Sequence, residues 1–249
     1  MVDTHCHLDS CKPPDSELVE RARAAGVTRL ATVGMHDESI ASALAAANEF
    51  EDVVAIVGRH PHYTEGWADR DIDAIERAAA DPRARAIGET GLDYFRDHSP
   101  HHDQRRAFEA QIDLAARTQL PLVIHTREAE DDTFALLRER AAGVTVILHC
   151  FSAPARVEEC VERGYMCSFA GNVTYPKAVE LQAAARDLPE ELLLVETDSP
   201  YLSPQPVRGK PNEPANVVAT AQFVAELRGM QYEALDAAVE RNAARVFNW

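Results

Sequence analysis

Two pairs of the form His-X-His, His5-Cys6-His7 and His60-Pro61-His62, place imidazoles close enough to share a divalent ion. With ten histidines in 249 residues, about 0.4 such pairs arise by chance, so spacing alone is a weak signal. Position strengthens it. His5, His7, Glu89, His125, His149 and Asp198 all fall at or just after the end of a β-like run. Successive strand side chains alternate, so His5 and His7 face one way and Cys6 the other, as a packing residue. Four imidazoles and two carboxylates suit a pair of divalent ions with a carboxylate such as Glu89 between them. For any one of these residues alone, a half-buried polar cap on a strand is the simpler reading; for six in equivalent places it is not.

The elements that must position them alternate along the chain. Short apolar runs predict strands over Val2 to His7, Arg29 to Gly34, Val53 to Gly58, Ala84 to Gly88, Leu122 to His125, Val144 to His149, Tyr165 to Phe169 and Leu192 to Glu196. Apolar residues three and four apart predict helices over Pro14 to Ala25, Asp37 to Glu49, Ile72 to Ala80, His102 to Thr118, Glu130 to Ala142, Pro154 to Arg163 and Tyr175 to Arg186. Two more helices, Pro214 to Leu227 and Tyr232 to Phe247, end the chain. Eight β/α units in about 250 residues predict a (β/α)8 TIM barrel as one domain over residues 1–249, ahead of an open doubly wound sheet. In such a barrel the C-terminal strand ends meet at one mouth, where active sites of the fold occur.

Composition bounds the function. Asp and Glu number 41 and Lys and Arg 25, a formal net charge of −16, and the only lysines are Lys12, Lys177 and Lys210. An acid excess with so little lysine predicts a halophilic setting, where salt screens the repulsion between carboxylates. It excludes a broad nucleic-acid-binding face, so any such contact must come from a local basic or metal-bearing cleft. Apolar runs of about five residues are far shorter than the roughly 20 a membrane helix needs, and no membrane or obligate protein partner is expected. Met1 to His5 has neither a basic nor an apolar leader region, and the five cysteines lack Cys-X-X-Cys spacing. Both features predict a cytoplasmic protein.

The stretches THCHLD (from Thr4), GRHPH (from Gly58), GETGLDYF (from Gly88), PLVIHTRE (from Pro121), LHCFS (from Leu148), ETDSPYL (from Glu196) and RGKPNEP (from Arg208) resemble, in order, the TatD family of metal-dependent deoxyribonucleases in the amidohydrolase superfamily. The resemblance spans the whole chain. It implies that His5, His7, Glu89 and Asp198 hold one divalent ion and that Glu89, His125 and His149 hold the other, with Glu89 as the bridge. Many amidohydrolase relatives carry a carboxylated lysine at the fourth strand; no lysine lies between Lys12 and Lys177, so the Glu89 carboxylate takes that place. Arg59, Thr90 and Ala153 depart from the usual family residues, and none is a proposed ligand.

The resemblance implies a phosphodiesterase that trims single-stranded DNA from the 3′ end. Its water would be activated by two ions about 3.5–4 Å apart, Mg2+, Mn2+ or Zn2+. Asp198 is the candidate to take the water's proton, with Glu89 beside it. His60, His62, Arg127, Arg208 and Lys210 are candidate phosphate contacts, with Asn212 extending the track, and Tyr94 and Phe95 are candidate base-stacking residues. The alternative is an esterase, lactonase or aminoacyl-tRNA deacylase on the same metal site. His98, His101 and His102 sit in a polar turn and are assigned no metal, and His36 is assigned to the surface.

Overall fold

A computed structural model describes Met1–Trp249. Eight strands alternate with helices: β1 (Val2–Cys6), α1 (Asp15–Ala24), β2 (Arg29–Gly34), α2 (Asp37–Glu49), β3 (Val53–Val57), α3 (Asp71–Ala79), β4 (Ala84–Asp93), α4 (His101–Thr118), β5 (Leu122–Arg127), α5 (Glu130–Arg140), β6 (Val146–Leu148), α6 (Val157–Arg163), β7 (Met166–Phe169), α7 (Val179–Asp187) and β8 (Leu193–Val195). Helices α8 (Val217–Leu227) and α9 (Tyr232–Phe247) follow. The strands are ordered β1 to β8 without reversal. A doubly wound sheet would reverse direction at a switch point, so the sequential order is that of the expected (β/α)8 barrel. No helix is long and apolar enough to cross a membrane.

The chain forms two compact units, Met1–Thr32 with His149–Trp249, and Val33–Leu148. In the first, β1 pairs in parallel with the start of β2, and β7 with β8. Beyond β8 the chain runs beside β1: the Asp198 amide donates to the His5 carbonyl at 2.9 Å, and the His7 amide to the Ser199 carbonyl at 2.8 Å. All five residues of β1 are buried. Cys6, fully buried, points its thiol at the Ala31 carbonyl, as expected of a packing residue.

In the second unit, β3 pairs with β4, β4 with β5 and β5 with β6, all in parallel. Helix α4 lays Ala107, Phe108, Ile112, Leu114 and Ala115 against the sheet, each large apolar side chain worth about 1.5–3 kcal/mol on burial. Strand β4 runs five residues past its expected end at Gly88, to Asp93, so Glu89 lies within the strand. Two glycines permit this. A Cβ on Gly91, at φ +137, would sit 2.0 Å from the His125 carbonyl oxygen, and one on Gly88, at φ +145, would sit 2.5 Å from that of Val123. Only glycine allows β4 and β5 to approach this closely at the level of Glu89 and His125.

Other boundaries shift in the opposite sense. Strand β6 ends at Leu148 and β8 at Val195, leaving His149 and Glu196 just beyond the ladder. The expected helix from Tyr175 starts only at Val179, after a 3-10 turn over Gly171–Thr174. Pro154 and Pro214 likewise stand at the start of 3-10 turns ahead of α6 and α8, where a missing amide hydrogen costs no helical bond.

Candidate active site

Within the first unit, β1 and the segment after β8 bring three donor atoms together. His5 Nε2 lies 3.3 Å from His7 Nε2, His7 Nε2 lies 3.4 Å from Asp198 Oδ1, and His5 Nε2 lies 4.0 Å from the same oxygen. Donors each 2.0–2.1 Å from one tetrahedral ion stand about 3.4 Å apart; two of these separations match and the third, between His5 and Asp198, must close by about 0.6 Å to hold a divalent metal. Asp198 holds a left-handed φ of +53, a region Asp tolerates better than most residues. Burial raises its pKa, yet hydrogen bonding from His7 and the nearby His149, His7 and His5 outweigh burial and hold it below the usual carboxylate value.

His149 stacks on His5 with ring centroids 3.7 Å apart. Its Nδ1 lies 2.8 Å from Glu196 Oε1, which also accepts the Cys150 amide at 2.7 Å. His5, His149 and Glu196 thus form a second set of metal-capable groups in this unit. Asp3, fully buried, accepts the Thr197 hydroxyl at 2.6 Å and the Thr197 amide at 2.8 Å, fastening β1 to the segment that carries Asp198. Burial pushes the Asp3 carboxyl up to about 8.

In the second unit, His60, Glu89 and His125 form a further metal-capable set. His125 Nδ1 lies 3.0 Å and His60 Nε2 3.4 Å from Glu89 Oε1. His60 Nδ1 accepts the His62 amide at 3.1 Å, so its ring proton sits on Nε2, facing Glu89. Burial pulls the His60 pKa down to about 4, which keeps the ring neutral and makes it a hydrogen-bond donor to Glu89. His62 Nε2 and His125 Nε2 lie 2.7 Å and 3.2 Å from Asp93 Oδ2. Burial opposes charge on Asp93, but hydrogen bonds from His125, the Arg96 amide and His62 lower its pKa on balance. Two buried glutamines on α4 hold the strand ends in place: Gln104 bonds the Asp93 amide and carbonyl, and Gln111 bonds the Arg59 amide and carbonyl and the Thr90 hydroxyl.

Among the candidate substrate contacts, Arg127 is exposed and its guanidinium lies 4.0 Å above the ring of Phe95, itself half exposed. Arg208 stacks in the same manner, 3.7 Å from the ring of Tyr175, and Lys210 is exposed in the same loop. Tyr94 gives its hydroxyl to Asp132 at 2.7 Å and its face to His101, 3.9 Å away, so it braces a loop. Asn212 does not extend the phosphate track. It is buried, and its amide is committed to the Thr197 and Tyr201 carbonyls at 2.9 Å and 2.8 Å. Arg59 is tied to Asp37 at 2.5 Å. Glu196, Asp93 and Asp3 are site groups that the sequence does not single out. Each is an acid within four residues of an expected ligand, and that proximity is the available signal.

The model of the TatD related DNase family matches residues 2–248. A Mycobacterium tuberculosis metal-dependent hydrolase named TatD is 42% identical over 99% of this chain and 97% of its own. A Klebsiella pneumoniae 3′-5′ ssDNA/RNA exonuclease TatD is 35% identical over 93% of this chain and 90% of its own. The crystal structure of the TatD homologue YJJV from Escherichia coli K12 superposes with a TM-score of 0.92 at 29% identity, covering 100% of this chain and 98% of that one. Motifs, barrel topology and relatives agree: the chain belongs to the TatD related DNase family.

Proposed function

We propose that this hydrolase is a divalent-metal-dependent 3′-to-5′ exonuclease on single-stranded DNA. The relative named as a 3′-5′ ssDNA/RNA exonuclease supports a nucleic acid substrate. The observation that carries the phosphodiester reading is the pairing of Arg127 with exposed Phe95. Arg127 lies two residues past His125 on β5, so a phosphate-binding cation and an aromatic face stand on the same side of the strand as a metal-capable imidazole.

In this reading His5, His7, Glu89 and Asp198 would hold one ion, and Glu89, His125 and His149 the other. Bound there, Mg2+, Mn2+ or Zn2+ would supply Lewis acidity and a lowered pKa for water. Asp198 takes the proton of the attacking water. The water oxygen bonds to phosphorus, the bond from phosphorus to the 3′ oxygen breaks, and the proton passes to that oxygen. His60, neutral, donates to Glu89 and holds its carboxylate; His62 stands beside it. Arg127, Arg208 and Lys210 bind phosphates along the strand, and Phe95, with Tyr94 behind it, stacks a base. Residues 1–249 are read as one hydrolase domain acting in a salt-rich cytoplasm, in keeping with the acid excess.

The test is cleavage of 5′- and 3′-labelled single-stranded DNA at high KCl with each metal. Stepwise shortening from the 3′ end, stopped by EDTA, is the expected result. Intact strands under every metal, with hydrolysis of carboxylic esters, lactones or aminoacyl-tRNA, would replace the nuclease by the esterase alternative.

A further inference from the structure

One buried carboxylate in the second unit has all its bonding positions used. Asp93 is fully buried at the end of β4. Its Oδ1 accepts the amides of Phe95 at 3.0 Å and Arg96 at 2.8 Å, and its Oδ2 faces Nε2 of His62 at 2.7 Å and Nε2 of His125 at 3.2 Å. A carboxylate in this position only accepts, so the nitrogens that face it carry protons. His125 Nε2 is thereby a donor. The other ring nitrogen, Nδ1, lies 3.0 Å from Glu89 Oε1, so with no ion present it also donates to a carboxylate; an ion held by Glu89 would replace that Nδ1 proton, while the Nε2 proton stays on Asp93.

We propose that Asp93 is the positioning residue that makes Nδ1 the coordinating nitrogen of His125. The proposal rests on the reading of His125 as a metal ligand. Asp93 fixes the ring tautomer and its rotation, as an outer carboxylate does for a metal-bound histidine. It does a second thing with its other oxygen: the amides it holds are those of Phe95 and Arg96. One side chain therefore sets both a metal-capable imidazole and the turn that displays the exposed ring under Arg127. Register supports this arrangement, because Asp93 pairs with Arg127 and Gly91 with His125 across β4 and β5.

Asp93→Asn separates these roles. With its oxygen kept on the Phe95 and Arg96 amides, the new NH2 group points at His62 and His125. The facing Nε2 atoms must then accept, and the His125 proton moves to Nδ1, where it blocks coordination. The experiment measures Zn2+ affinity of wild type and Asp93→Asn by competition with a chromogenic chelator, and records 15N imidazole spectra of the zinc-loaded wild-type protein. The expected result is a His125 ring with hydrogen on Nε2 and zinc on Nδ1, and an Asp93→Asn protein that binds zinc about 10–100-fold more weakly with its circular dichroism unchanged. Zinc on Nε2 of His125, or undiminished affinity in Asp93→Asn, overturns the role of Asp93 while leaving the metal reading intact. Wild-type protein that takes up no zinc overturns both. If Asp93→Asn fails to fold, the wild-type spectrum decides alone.

Discussion

Glu196 Oε1 holds two partners at once, His149 Nδ1 at 2.8 Å and the Cys150 amide at 2.7 Å, from a fully buried position just past β8. An imidazole held at Nδ1 presents Nε2, so Glu196 sets the direction in which His149 offers its lone pair. Glu196→Gln keeps the shape and removes the charge, whereas Glu196→Ala removes both. We expect zinc affinity to fall about 10-fold in the first and toward 100-fold in the second, measured by chelator competition. Unchanged affinity in Glu196→Ala would show that His149 is held without it.

Phe95 is half exposed with the Arg127 guanidinium 4.0 Å from its ring, an arrangement that leaves aromatic surface for a base. Stacking of one base contributes about 1–3 kcal/mol in single-strand binders. Phe95→Ala therefore raises KM for an oligonucleotide about fivefold or more, with hydrolysis of a small phosphodiester lacking a base nearly unchanged. An equal loss on both substrates contradicts a stacking role.

The ligand candidates were legible because a barrel places function at strand ends, and His5, His7, His125 and His149 all stand at the ends of apolar runs. The eight-strand count was legible for the same reason. The extent of β4 was not. The expected strand stops at Gly88, but Gly88 and Gly91 permit close approach of β5, and that depends on a neighbour distant in sequence. Glu196 and Asp93 are not singled out by sequence because only the folded distances, to His149 and to His62 and His125, set them apart from other acids near strand ends. Asn212 was misassigned because its flanks, Arg208-Gly209-Lys210-Pro211, read as an exposed basic loop; burial of one amide inside it follows from folding.

Asn212 joins the loop after β8 to its own start. Its Nδ2 donates to Thr197 and Tyr201 carbonyls, and its Oδ1 accepts the Glu213 amide and the Asn216 side chain, both at 3.0 Å. Asn212→Ala strands buried carbonyls and costs about 1–3 kcal/mol. Thermal unfolding followed by circular dichroism then shows a Tm lower by roughly 2–12 °C. A shift below one degree contradicts the structural role.

Metal removal has a sign that follows from mass action. An ion that binds the folded chain and not the unfolded one stabilises it, by about 2.7 kcal/mol at 100 times its dissociation constant. EDTA therefore lowers Tm, and added Mn2+ or Zn2+ restores it. Protons compete with the ion for the imidazoles, so the restored increment shrinks as pH falls. A Tm indifferent to EDTA at pH 7.5 contradicts a resident metal.

The central claim is metal-dependent hydrolysis that turns on the Glu89 carboxylate. The most direct measurement compares wild type with Glu89→Gln in one assay: metal-free protein reloaded with Mn2+, labelled single-stranded DNA, and metal content determined in parallel. Glu89→Gln is expected to leave the strand unshortened, to hold less metal, and to keep a circular dichroism spectrum matching wild type. Cleavage by Glu89→Gln at the wild-type rate would contradict it.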